Sequence, residues 1–228
     1  MGDYFKYPDA PVAYYGWQLI TVGVIATVAF MLVSRFVSGG PRAAAAILAV
    51  FAFAITVFSL WFFRNPQREP LDRAPGAVIS AADGTVLRVE RVNDPRYGGE
   101  AEKLSIFMSP FNVHINRAPV TGIVEKVEYT PGKFFVASLD KASTDNERNF
   151  ILMKSDGGHK IGFSQIAGIV ARRIVCGLKQ GDRIGVGARY GMIRFGSRME
   201  MFMPPGTKML VGPGESVEAG RTVIARLD

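Results

Sequence analysis

Cysteine is almost missing from this chain: Cys176 is the only one in 228 residues, so no intramolecular disulfide can form. Set in the apolar run IVCGL, it reads as a small buried hydrophobe rather than a nucleophile. The scarcity suits a reducing compartment. Histidine is nearly as rare, with only two. A structural zinc site usually takes four Cys or His ligands, so no metal is expected. The formal charge is +7, yet the Lys and Arg are scattered. There is no basic helix and no aromatic-studded basic stripe, which argues against a nucleic-acid partner. After residue 75 no helical periodicity runs beyond three turns, and this excludes a helical bundle for that part.

Apolar side chains, by contrast, make up 48% of the chain and crowd into its first 63 residues. Residues 10–34 carry no charge, and residues 43–63 (AAAAILAVFAFAITVFSLWFF) carry none either. A helix of about 20 residues crosses the hydrocarbon core, so two segments, about 14–34 and 43–63, are expected to form a helical membrane hairpin. A cleaved signal peptide would be shorter, without a second span behind it. Gly39-Gly40-Pro41 in the connector is expected to stop the first helix. Tyr14, Tyr15 and Trp17, and Trp61-Phe62-Phe63, are placed as interfacial aromatics. The outer ends carry Lys6, Arg64, Arg68 and Arg73 against Arg35 and Arg42 in the connector, which puts the main domain on the cytoplasmic face of a cell membrane. Beyond residue 63 there are 24 basic and 18 acidic residues, a balance suited to an anionic bilayer. Arg64, Arg68 and Arg73 either meet lipid phosphate or serve only topology and solubility.

Residues 64–228 form the second domain. GAVIS, GTVLRVERV, KLSIFM, GIVEKVEYT, KFFVA, NFILMKS, HKIGFSQIAG, RRIVC, DRIGVG, GMIRF, TKMLVG and RTVIARL read as strands, with turn residues every eight to twelve positions. The expected fold is mainly β, a curled-sheet or barrel-sandwich-like domain. PVTGIVEKVEYTPGKF and PGTKMLVGPGESVEAGRTVIARL each suggest a strand, a Pro/Gly turn and a second strand, as in lipoyl-like domains. Lys141 in LDKA has the lipoyl-type tripeptide, but its polar setting makes it a solvated loop lysine.

Three residues stand out by type: Asp83 in SAADGTV, His114 in SPFNVHINRAPV and Ser197 in RFGSRMEM. An aspartate that orients a histidine, which deprotonates a serine, is the general way to activate a hydroxyl. Singly, each has a plain reading: a turn Asp-Gly, a hydrogen-bonded strand histidine, a chance Gly-Ser pair. Ser197 lacks the G-x-S-x-G elbow of the α/β-hydrolases.

Together the motifs FFRNPQR (62–68), ADGTV (82–86), FMSPFNVHINRAPVTG (107–122), TDNERN (144–149), QIAGIVARRIV (165–175) and GMIRFGSRMEMFMP (191–204) are more specific. From about residue 60 onward the chain resembles the short, pyruvoyl-dependent form of the phosphatidylserine decarboxylase family, including its paired N-terminal apolar segments. The resemblance implies a proenzyme cleaved between Gly196 and Ser197, with His114 as general base and Asp83 as its support. Longer members carry a second histidine three residues before the base, where this chain has Phe111.

The implied chemistry begins with attack of Ser197 Oγ on the Gly196 carbonyl, an N-to-O acyl shift. β-Elimination and hydrolysis then leave a covalent pyruvoyl cofactor at position 197, on a small chain 197–228 held with a large chain 1–196 as a heterodimer, with room for a higher oligomer. The implied substrate is phosphatidylserine in an anionic membrane, decarboxylated to phosphatidylethanolamine through a Schiff base. Two rivals would explain the same residues. A membrane-tethered adaptor with a lipoyl-like domain would remain one intact chain. A membrane-bound serine hydrolase would keep Ser197 as serine.

Overall fold

A computed structural model describes residues 9–136, 142–169, 173–194 and 197–228. The chain divides into two compact units, a helical one ending at Pro66 and a β-rich one beginning at Gln67.

In the helical unit, α1 (Trp17–Phe36) and α2 (Gly39–Phe62) are both long and apolar enough to cross a membrane. They pack closely where Gly23 meets Thr56: a Cβ on Gly23 would stand 2.3 Å from the Thr56 hydroxyl. The Ala13 N–H donates to the Phe63 carbonyl at 2.7 Å, which ties the two outer ends together. The connector differs from expectation. Only Val37 and Ser38 separate the helices, and Gly39-Gly40-Pro41 forms the first turn of α2. Proline is tolerated there because first-turn N–H groups have no intrahelical acceptor.

The β-rich unit holds strands β1 (Ala77–Ile79), β2 (Gly84–Asp94), β3 (Gly99–Met108), β4 (Ile115–Arg117), β5 (Gly122–Thr130), β6 (Arg148–Ser155) and β7 (Lys160–Ala167). They are followed by β8 (Ile174–Cys176), β9 (Arg183–Ile184), β10 (Arg189–Ile193), β11 (Ser197–Met203), β12 (Lys208–Met209), β13 (Ser216–Val217) and β14 (Val223–Arg226). One short helix, α3 (Ala142–Asp145), interrupts them. The main sheet is curled, with eight strands in the order β13-β2-β3-β11-β7-β6-β5-β9. Two three-stranded sheets, β4-β10-β8 and β1-β14-β12, accompany it. The main apolar core draws on all three, from Val78 and Ile224 to Tyr190, Leu104, Phe163 and Met201. The mainly β fold is as the sequence led one to expect.

Two segments depart from that reading. Residues 133–136 of KFFVA are not a strand, and Ala137 lies outside the described residues: beyond an isolated bridge at Lys133, the Asn146 side chain takes the place of a neighbouring strand. Its Oδ1 accepts from the Phe135 N–H at 2.8 Å, and its Nδ2 donates to the Phe135 carbonyl at 2.9 Å. Pro131-Gly132 therefore does not close a hairpin, and β5 pairs with β6 and β9 instead. Conversely SRMEMFM, with little β-branching, is the fully buried β11, paired on both sides by β3 and β7.

Candidate functional site

Strand alternation sends every second side chain of β11 to the same face. Met199, Met201 and Met203 belong to the apolar core, so Ser197, in step with them, faces it too. Ser197 is the first residue of β11, paired with Met108 at the end of β3 and with Ala167 at the end of β7. It is fully buried, and its hydroxyl donates to the Met108 sulfur at 3.2 Å, a weak acceptor that leaves the oxygen lightly held. The opposite face carries a buried polar group. Glu200 accepts from Ser143 at 2.7 Å and pairs with Arg198 at 3.0 Å and Lys103 at 3.1 Å. Gly196 lies outside the described residues, as does Lys141.

His114 is also fully buried. The preceding loop is a tight turn in which Asn112 Oδ1 accepts from the Ser109 N–H and hydroxyl at 2.8 and 2.9 Å. That turn presents the Asn112 carbonyl to His114 Nδ1 at 2.9 Å. A carbonyl can only accept, so in the neutral imidazole Nδ1 carries the proton and Nε2 the basic lone pair. The His114 carbonyl accepts from Ile193 N–H at 3.3 Å, which fastens the histidine to β10, the strand that leads toward Ser197.

Asp83 immediately precedes β2, whose Thr85 pairs with Phe107 beside Met108. The heads of β2 and β11 and the tails of β3 and β7 thus share one rim of the sheet. Asp83 is 6% exposed, and its carboxylate is engaged by Arg68 and by the Ala219 N–H at 2.8 Å. Both Arg68 nitrogens take part, Nη2 at 2.9 Å to Oδ2 and Nη1 to Oδ1. Burial opposes the Arg68 charge, but the hydrogen bonds and charge of Asp83, with Glu218 beyond, hold its pKa above the ordinary value. The structure therefore gives the histidine tautomer to the Asn112 carbonyl and joins Asp83 to Arg68. Arg117 N–H donates to the Ala81 carbonyl at 3.0 Å, so the His114 strand is stitched to the Asp83 segment by the main chain.

Sequence reasoning passed over a buried amide chain beside this rim. Asn149 Nδ2 donates to Gln165 Oε1 at 3.1 Å, and Gln165 Nε2 donates to Asn116 Oδ1 at 2.9 Å. Gln165 lies opposite Met199, two residues from Ser197. Asn116 Nδ2 and the Tyr190 hydroxyl are buried without a hydrogen-bond partner among the described residues. Burial pushes the Tyr190 pKa well up. The only available signal was polar residues inside apolar runs. Cys176, half-buried on β8, has its thiol pKa raised by burial, as an unreactive cysteine should. A separate cavity of about 500 Å³, near Gly76, Thr121, Asp156 and His159, includes none of Asp83, His114 or Ser197.

A family model described as phosphatidylserine decarboxylase matches residues 55–225. The chain is 40% identical over 223 residues to a protein of Burkholderia cenocepacia named phosphatidylserine decarboxylase proenzyme, covering 98% of this chain and 99% of that one. Proteins of the same name from Burkholderia lata and Burkholderia multivorans are 41% and 40% identical over the same shares.

Proposed function

The chain belongs to the phosphatidylserine decarboxylase family, and from that premise we propose that it is a proenzyme that cuts itself between Gly196 and Ser197 and then decarboxylates phosphatidylserine at the membrane. The observation that carries this reading is Ser197 itself. It is a buried hydroxyl at the head of the central strand, lightly held by sulfur, on the rim shared with Asp83 and joined through β10 to His114.

In self-cleavage, His114 Nε2 takes the Ser197 proton while Oγ attacks the Gly196 carbonyl; an ester forms as the Gly196–Ser197 amide bond breaks. Loss of the Ser197 α-proton then expels the Gly196 carboxylate. The resulting dehydroalanine takes up water and releases ammonia, which leaves a pyruvoyl group on chain 197–228. That group would supply an electron-withdrawing ketone for the substrate amine and an electron sink for decarboxylation. The donor set fits it: Asn116 Nδ2 is a buried amide donor without a partner among the described residues, one hydrogen bond from the β7–β11 pair headed by Ser197. His114 would return a proton to the product carbon. Asp83 keeps Arg68 charged and fixed, and the two together brace the segment on which β4 hangs.

Phe111 and Ile169, 69% and 58% exposed, lie just past the ends of β3 and β7 that flank Ser197. Exposed apolar side chains at that rim suit a substrate whose tails stay in lipid. The two apolar helices support membrane attachment, and the basic excess at their outer ends supports a cytoplasmic catalytic face. Removing residues 1–63 is expected to release the protein from vesicles in a flotation assay while self-cleavage continues. A truncated protein that floats as completely as the full chain would give the membrane contact to the β-rich unit.

An intact-mass spectrum tests the central claim. Two polypeptides, 1–196 and 197–228, are expected, the shorter one blocked to Edman degradation. A free N-terminal serine on it would mean ordinary proteolysis. Borohydride in the presence of phosphatidylserine should abolish activity and attach lipid to 197–228. Lipid attached to the large chain, for example at Lys141, would require a different electrophile.

A further inference from the structure

A cavity of about 320 Å³ opens in the β-rich unit, away from the Ser197 hydroxyl. Four arginines line it, Arg68, Arg73, Arg117 and Arg189, with Glu69 as the only lining carboxylate. Arg117 and Arg189 are 3% and 7% exposed. Both are fixed in place: Arg117 Nη1 donates to the Gly187 carbonyl at 2.9 Å, and Arg189 Nη2 donates to Gln67 Oε1 at 2.7 Å. The Arg117 stem lies over Gly220, where a Cβ would come within 2.3 Å of its Cδ and the left-handed backbone (φ 71°) also favours glycine. Arg68 pairs with Asp83 and Arg73 with Glu69, so guanidinium still outnumbers carboxylate around this partly dehydrated space, a setting that favours an anion. The planar guanidinium fork matches phosphate oxygens pairwise. The volume is at the lower end of small-molecule sites, large enough for a headgroup and too small for acyl chains.

We propose that this cavity binds a phosphate group, with Arg117 and Arg189 as fixed donors and Arg73, paired with Glu69 at the exposed mouth, exchanging that carboxylate for the phosphate. The phosphate belongs either to a phospholipid headgroup or to free phosphate. The headgroup source rests on the decarboxylase reading, because Arg68 joins the cavity to Asp83 and so to the Ser197 rim.

The test is calorimetric titration of the full-length protein in nonionic detergent with two probes, dihexanoylphosphatidylglycerol and inorganic phosphate. The lipid probe has a phosphodiester but neither amine nor carboxylate, so it cannot react at position 197. Arg189→Gln is expected to weaken lipid binding about tenfold or more, as loss of a charge-assisted contact does. Arg189→Lys, which keeps the charge without the fork, should fall between, and Arg117→Gln should resemble Arg189→Gln if its circular dichroism is native. Arg91→Gln, a surface arginine of β2, should bind like the wild type. Tighter binding of the lipid than of phosphate assigns the headgroup source; the reverse order assigns free phosphate. Binding of neither probe, or equal binding by the wild type and a folded Arg189→Gln, overturns the proposal. Lipid binding by a wild type that does not decarboxylate phosphatidylserine would sink the decarboxylase reading alone. Normal decarboxylation with lipid affinity unmoved by Arg189→Gln would sink the phosphate site alone.

Discussion

Ser197→Ala is expected to yield one uncut chain of 228 residues with no measurable decarboxylation, a loss on the order of 10⁶-fold or more, since the whole enzymatic enhancement goes with it. The substitution deletes one oxygen whose hydrogen bond among the described residues goes to the Met108 sulfur. Strand β11 keeps its pairing with β3 and β7, so the fold should melt within about 1 kcal/mol of the wild type. Chemistry and folding are thereby separated: the variant has the native strand but no nucleophile. Ser197→Cys should still cleave, more slowly, because a thiol also performs the acyl shift. Intact mass and lipid turnover are the two measurements. A Ser197→Ala chain that still appears as 1–196 and 197–228 would refute self-cleavage.

His114→Ala is expected to slow processing by about 10²- to 10⁴-fold, the usual worth of a positioned general base. The substitution also removes the Nδ1 hydrogen bond to the Asn112 carbonyl and empties a fully buried site, so its cleavage is compared at a temperature where circular dichroism shows both proteins folded. Asp83→Asn should slow processing less and destabilise the fold more. It removes the charge that a buried guanidinium needs, with side-chain exposures of 12% for Arg68 and 8% for Asp83. Breaking such a pair from one side costs about 3 kcal/mol. Thermal melts followed by circular dichroism, beside a time course of cleavage, distinguish the two roles. Equal melting temperatures for Asp83→Asn and wild type would remove the bracing role. Normal processing of His114→Ala would remove it from self-cleavage.

Much of this architecture was legible in the chain, and the reason is local in each case. Two runs without charge, each about 20 residues long, mark helices long and apolar enough to cross a membrane. The alternation in GTVLRVERV and NFILMKS marks strands because side chains of a strand alternate between faces. Asp83, His114 and Ser197 were visible as types within recognisable motifs. Strand β11 was not, since it has no β-branched residue and both its faces are buried, the polar one by the ion pair of Arg198 with Glu200. KFFVA had strand composition, yet Asn146, eleven residues beyond Phe135, claimed its backbone.

Composition and spacing by themselves determined two long apolar helices and a β-rich domain. Only the tertiary structure decided which atom holds which. It paired Asp83 with Arg68, gave the histidine proton to the Asn112 carbonyl and assembled Arg68, Arg117 and Arg189 around one cavity from positions as far as 121 residues apart. Hydrogen bonds and ion pairs act within a few ångströms, and it is the curl of the sheet, not nearness in sequence, that brings such side chains within reach.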